Sequence, residues 1–157
     1  MRVMVLAVGP PGGPGLAEPV RRYEERAGRY FDLEVAEVRA APGGLSDEEG
    51  RRREGEALLE RLPDGLESFA LTRRGKGLGS EGLARHLERL ATYGRPGAVF
   101  LVGGARGLDE RVLATADHRL SLSPMTLPHG LARLVLAEQL YRAGTIARGE
   151  PYHRGGA

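Results

Sequence analysis

The sequence contains no cysteine, no tryptophan and no asparagine, a single lysine (Lys76) and a single glutamine (Gln139). Without cysteine there can be no disulfide, no thiolate metal site and no thiol nucleophile. No apolar run approaches the roughly 20 residues needed to cross a bilayer. The apolar stretch at residues 3–8, after Arg2, is too short for a signal-peptide core with a cleavage site. A cytoplasmic protein with no membrane partner is the expectation. A strong overall charge is also missing: 23 basic against 21 acidic residues leave a net +2. There is no basic tail and no global field to draw in a polyanion, so any nucleic-acid contact has to come from a local patch. Nearly all the basic residues are arginine, which suits bidentate phosphate contacts. Their even spread along the chain fits genomic composition or heat adaptation better.

At 157 residues the chain reads as one domain, 1–157, long enough to bury roughly 70% of its unfolded surface. The continuous apolar run at 2–8 is a buried strand, stopped by Gly9-Pro10-Pro11-Gly12-Gly13-Pro14. That glycine-rich stretch lacks the lysine-serine of a phosphate loop, and its prolines remove amide donors, so it reads as a structural turn. Helical spacing follows at 16–29 and a strand at 31–38. Ser46 with Glu49 forms a capping-box pattern opening a charged helix to about 61. A third strand is expected at 67–72, then a basic loop at 73–77, a helix capped by Ser80, and a fourth strand at 98–102. A short helix at 109–116, a fifth strand at 118–122 and a long helix at 128–148 complete the chain. Alternating strands and helices specify an α/β fold with a mostly parallel sheet flanked by helices.

In the last helix Leu131, Leu134, Val135, Leu136, Leu140 and Ile146 point in all directions. A helix apolar all round has to be covered all round. A second copy of the chain is the economical cover for the face the sheet leaves bare; a neighbouring helix with the C-terminal tail is the alternative.

Three strand ends meet small or flexible residues: Leu71-Thr72, Val102-Gly103-Gly104 and Leu122-Ser123-Pro124-Met125-Thr126. Ligands of open α/β sheets bind beyond the carboxyl ends of strands, where glycine admits a flat group close to the backbone. A nucleotide-like pocket is one reading and ordinary loop starts the other. His129 and Arg133, spaced i and i+4, fall in the first turns of the last helix, where amides and dipole favour an anion; capping is the plainer role for the histidine. Glu138 and Arg142, at the same spacing, read as a salt bridge. The tail Pro151-Tyr152-His153-Arg154 offers an aromatic ring, an imidazole and a guanidinium, a set that stacks on a base and grips a phosphate, or simply packs. His86 and His118 have no partner near them in sequence and are assigned to the framework. No metal-ligand cluster is visible.

The segment Leu122-Ser-Pro-Met-Thr-Leu-Pro-His-Gly-Leu-Ala-Arg133, continuing through Glu138-Gln-Leu-Tyr-Arg142 to Glu150-Pro-Tyr-His153, resembles the small SPOUT-class methyltransferases of the RlmH type. Gly75-Lys76 with Ser80-Glu81-Gly82-Leu83, and Val102-Gly103-Gly104 with Gly107-Leu108, support the resemblance. It covers nearly the whole chain. It implies a C-terminal trefoil knot, an exception to the usual rule against knots. It also implies a homodimer and S-adenosylmethionine bound by Leu71, Gly103, Leu122, Ser123, Pro124, Met125, Thr126 and Leu127. The implied reaction is methylation of N3 of a pseudouridine in 23S ribosomal RNA, on the assembled 70S ribosome. His129, Arg133, His153 and Arg154 are then the candidate catalytic residues, with His153 favoured as proton acceptor and no metal required. A related enzyme acting on transfer RNA, and a non-catalytic RNA-binding dimer, are the alternatives. The chain departs from the family at Thr72, where an acidic residue is common, at the unusually basic Arg73-Arg74, and at Pro124, a variable position.

Overall fold

The computed structural model describes residues 1–155. Five parallel strands, β1 (Arg2–Val8), β2 (Asp32–Val38), β3 (Glu67–Gly77), β4 (Gly97–Val102) and β5 (His118–Ser121), lie in the order β2-β1-β4-β3-β5. Five helices connect and follow them: α1 (Ala17–Ala27), α2 (Asp47–Arg61), α3 (Ser80–Tyr93), α4 (Glu110–Thr115) and α5 (His129–Ala147). A 3-10 turn, Pro151–Gly155, follows α5.

Side chains alternate across a strand, and β1 feeds both faces of the sheet. Val3, Val5 and Ala7 join Phe69, Phe100, Leu83, Leu87, Leu136 and Leu140 in one core, beneath α1, α3 and α5. Met4, Leu6 and Val8 join Val99, Leu101, Leu58 and Val112 in the other, beneath α2 and α4. A strand buried on both faces has to be apolar throughout, hence the uninterrupted run at its start. The crossovers obey one hand: both steps toward the β2 edge (β1 to β2, β3 to β4) use the α1/α3 face, and both steps toward the β5 edge use the α2/α4 face. That regularity is what a right-twisted strand imposes on parallel connections.

Local signals place most boundaries. Ser46 Oγ accepts from the Glu49 N–H at 3.2 Å, as the capping pattern requires. Asp109 caps α4 by accepting from the Arg111 N–H at 2.8 Å. Ser80 is not the cap of α3: Gly79 holds that position, and the Ser80 hydroxyl donates to Gln139 Oε1 at 2.6 Å, joining α3 to α5. The basic loop at 73–77 is also not a free loop. After Leu71 pairs with Leu120, β3 bulges outward and returns, so that Lys76 pairs with the same Leu120. The return is possible because Gly75 lies against the Arg119 and Leu120 backbone, where a Cβ would sit 2.6 Å from the Arg119 carbonyl.

Strand β5 is short and at an edge. Asp117, just before it, fastens it to β3: its carboxylate accepts from Ser68 N–H (2.9 Å), Ser68 Oγ (3.0 Å) and Arg95 (2.8 Å), while its own N–H donates to Ser68 Oγ. Burial works against the charge on Asp117, but these donors outweigh it and hold the carboxyl below its usual range. Its contribution is therefore present above the ordinary aspartate pKa of about 3.9 and is lost as pH falls through the depressed value. Asp117→Ala is expected to cost about 1 kcal/mol in urea unfolding at pH 7, with the difference from the parent protein shrinking as the pH drops below that range.

Candidate active site

At the carboxyl ends of β3, β4 and β5 the backbone opens into a cleft of about 680 Å³. A volume of that size suits a nucleoside-sized ligand. Three segments, one helix start and Leu113 of α4 enclose it. Leu71, Thr72 and Arg73 come from the β3 bulge, residues 102–108 from the loop after β4, residues 122–128 from the connection between β5 and α5, and His129 and Ala132 from α5.

Each wall has a local cause. After β4 the chain turns back on itself: Gly107 N–H donates to the Gly104 carbonyl at 3.0 Å, and Gly107 takes a φ of +79°, open only to glycine at low cost. The turn brings Gly107 against Gly103, where a Cβ would lie 2.8 Å from the Gly107 carbonyl carbon. Arg106 anchors this loop from behind, donating to the carbonyls of Ala41 (3.1 Å) and Pro42 (2.8 Å) and to Glu54 (3.3 Å). Glu54 is buried, and its second oxygen, lying toward Gly104, has no hydrogen-bond partner among the described residues. In the β5–α5 connection Ser123 Oγ accepts from the Met125 N–H at 3.0 Å, closing a small side-chain turn. The start of α5 is set by the glycine-rich turn after β1. A Cβ on Gly130 would strike the Gly12 carbonyl oxygen, and one on Gly12 would strike the His129 ring.

Of the residues singled out in the sequence, Leu71, Gly103, Leu122, Ser123, Met125, Thr126, Leu127 and His129 line this cleft. Pro124 is exposed and is not among the lining residues. Arg133 is not among the lining residues. Although it follows His129 by one turn, its side chain is 6% exposed and is held by Glu24 of α1 at 2.9 Å and Glu37 of β2 at 2.7 Å. Burial alone favours the neutral guanidine; the two carboxylates more than offset this and hold the charge more firmly than usual. Arg133 is a strut between α5, α1 and β2, with Nε and Nη1 both committed to carboxylates.

His153 and Arg154 are also absent from their own chain's cleft. Tyr152 ties the tail to α5 by donating to Glu138 at 3.1 Å, packs on Tyr141 at 4.6 Å and lies under Arg142 at 4.8 Å. Glu138 lies nine residues beyond His129, about 14 Å along the helix. Arg142 in turn donates to Glu138 at 2.6 Å, the salt bridge its spacing announced. Arg154 is exposed, and the Nδ1 atom of His153 is buried with no partner among the described residues.

Sequence reasoning missed Arg73, Ala105, Arg106, Leu113 and Ala132 in the cleft wall. The signal available for the loop was Gly103-Gly104 followed by Gly107, a spacing that marks a backbone doubling back. The lining holds no carboxylate, and its charged members are Arg73 and Arg106.

A family model described as predicted SPOUT methyltransferase matches residues 1–153. The chain belongs to the SPOUT methyltransferase family. Among curated relatives, the ribosomal RNA large subunit methyltransferase H of Gemmatimonas aurantiaca is 48% identical over 155 residues, covering 98% of this chain and 100% of that one. The protein of that name from Gluconacetobacter diazotrophicus is 55% identical over 137 residues, covering 87% and 86%. A solved probable methyltransferase from Bordetella pertussis Tohama I shares the fold at a TM-score of 0.59 and 20% identity, over 91% of this chain and 94% of that one. Membership makes this chain a methyltransferase.

Removing the Arg133 strut leaves Glu24 and Glu37 uncompensated. Arg133→Met is expected to lower unfolding stability by about 2–3 kcal/mol, less than a fully buried pair because Glu37 is partly exposed. Ligand affinity measured on the folded fraction should stay unchanged.

Proposed function

We propose that this protein transfers a methyl group from S-adenosylmethionine to N3 of a pseudouridine in 23S ribosomal RNA, working as a homodimer on the assembled 70S ribosome. The observation that carries this reading is the cleft at the strand ends. Its glycine-backed wall and apolar flanks occur in a chain whose relatives at about half identity over nearly full length are named for ribosomal RNA methylation.

The residues fit the donor. The tight Gly103–Gly107 approach presents backbone polar groups at the cleft wall, while Leu71, Leu122 and Leu127 provide apolar surface for a flat base. When bound, S-adenosylmethionine supplies a methyl group already activated by its sulfonium. The protein's work is then to hold donor and acceptor in line and to manage one proton. Arg73, exposed on the β3 bulge, puts a positive side chain at the cleft, which favours the approach of a phosphate backbone; Arg106 is already paired with Glu54 and Asp47. Thr72, in the cleft wall, would offer a hydroxyl rather than a carboxylate to the donor.

The acceptor N3 carries a proton that has to leave. His153 takes it, and Arg154 steadies the anionic base, both supplied by the partner subunit. One feature supports the assignment in trans: the tail is tied down well up α5, away from its own cleft. Dimerisation also gives a cover to Leu131, Leu134, Val135 and Ile146, which remain partly or fully exposed on α5. The knot belongs to the same reading: the 122–128 segment passes beyond the ends of β3 and β4 on its way from the β5 edge to α5, alongside the β3 bulge and the 103–108 loop. No described helix is long and apolar enough to cross a membrane, and the ribosome is the proposed site of action in the cytoplasm.

The test uses methyl-labelled S-adenosylmethionine with unmodified 70S ribosomes, free large subunits, naked ribosomal RNA and transfer RNA. Label on assembled ribosomes, mapped to a pseudouridine N3, is the expected result; label on transfer RNA alone contradicts it. Cofactor binding without transfer to any acceptor removes the substrate assignment, and loss of binding as well points to a non-catalytic RNA-binding dimer. Two variants sharpen the roles. Gly103→Ala should weaken S-adenosylmethionine binding at least tenfold by calorimetry, because its Cβ collides with the Gly107 backbone. His153→Ala should lower kcat by about 10²-fold with cofactor affinity intact, and unchanged turnover would remove His153 from the mechanism.

A further inference from the structure

At the opposite ends of the same strands, Glu67, His86 and His118 converge. Glu67 opens β3, His118 opens β5, and His86 projects from the middle of α3. Each imidazole places Nε2 against one oxygen of the same carboxylate, His86 at 2.6 Å from Oε2 and His118 at 2.8 Å from Oε1. One ligand atom from each of the three residues lies within 4.8 Å of the other two. The rings are oriented by packing rather than left to rotate. His118 stacks on Phe69 at 4.8 Å, and His86 meets Phe69 and His118 edge-on at 5.3 and 5.4 Å. A separate cavity of about 220 Å³, bounded by Glu67, His86, Arg89, Tyr93 and Arg95, opens onto the cluster.

We propose that Glu67, His86 and His118 form a binding site for a divalent transition-metal ion of the zinc class. Two imidazoles and one carboxylate are a donor set such ions favour, with nitrogen and oxygen distances near 2.0–2.1 Å. Three donors on a tetrahedron of that size lie about 3.3 Å apart; the imidazole–carboxylate contacts are shorter than that and the three ligand atoms lie within 4.8 Å of one another, so side-chain adjustment alone brings them into a common coordination sphere. The cavity beside Glu67 and His86 leaves room for water as the fourth ligand.

The charges nearby are compatible. Arg95 is neutralised by Asp117 at 2.8 Å. Arg89 reaches His86 Nδ1 at 3.5 Å from an exposed position, and on metal binding it swings into solvent as Nδ1 takes the proton that Nε2 gives up. Side-chain exposures of 15% for Glu67, 20% for His86 and 40% for His118 leave an entry path without full burial. The ion would staple the starts of β3 and β5 to α3, at the opposite strand ends from the cleft, and would reinforce a sheet edge already held by the β3–β5 ladder and Asp117.

Tag-free protein, dialysed against chelator and then buffer, should bind one Zn²⁺ per chain by calorimetry. Co²⁺ should give visible d–d absorption of the intensity typical of four-coordinate sites, and saturating Zn²⁺ should raise Tm by several degrees. His86→Gln and His118→Gln each keep an N–H donor for Glu67 and so keep the framework; both should lose at least tenfold in Zn²⁺ affinity with unchanged circular dichroism. His129→Gln should bind Zn²⁺ as the parent does. No Zn²⁺ uptake by the parent protein, or equal uptake by the parent and the His86 and His118 variants, overturns the proposal and leaves the cluster as a hydrogen-bonded strut.

Discussion

Helix α5 starts where it does because Gly130 lies flat against the carbonyl oxygen of Gly12, with His129 covering Gly12 from the other side. Neither position has space for a Cβ. This contact joins the turn after the first strand to the start of the last helix, across most of the chain, and two features depend on it. It places His129 and Ala132 in the cleft wall, and it sets the end point for the 122–128 segment that crosses the strand ends. Arg133, one turn further on, locks the same helix to Glu24 and Glu37. The cleft is therefore built by long-range backbone contact, with side chains fixing what the backbone has already positioned.

The sheet sets the other boundary condition. The cleft opens at the carboxyl end of the sheet, where the loop after β4 and the β3 bulge contain glycine, while the amino ends of β3 and β5 carry charged and imidazole side chains. Glycine does different work in each loop. At Gly103 and Gly75 it lets two backbones touch, and at Gly107 it permits a positive φ. The methyl-transfer reading concerns the carboxyl end and the metal proposal the amino end. They share strands β3 and β5 but no residue.

The α/β architecture was legible because parallel strands buried on both faces leave long apolar runs, and because Ser46 with Glu49 is a complete local cap. The Glu138–Arg142 bridge was legible because both partners lie on one helix. The cleft segments at Leu71, Gly103 and 122–127 could be picked out because strand ends followed by small residues are local events. What escaped depended on distant partners. Arg133 shares a sequence spacing with His129, but Glu24 and Glu37, about a hundred residues earlier, claim it. His86 and His118 have no company in sequence, and only the meeting of β3, α3 and β5 brings Glu67 between them. The strand character of residues 76 and 77 was hidden because a bulge of arginines and glycine interrupts the pattern before pairing resumes. Ser80 looked like a cap because its bond to Gln139, 59 residues away, leaves no trace in local sequence.

The central claim is that the strand-end cleft is where S-adenosylmethionine binds. Hydrogen–deuterium exchange of the protein with and without saturating S-adenosylmethionine tests it most directly. The account predicts added protection concentrated in residues 71–73, 102–108 and 122–132, with little change at Glu67, His86 and His118. Protection elsewhere with those three segments unchanged, or no protection at saturating cofactor, would contradict it.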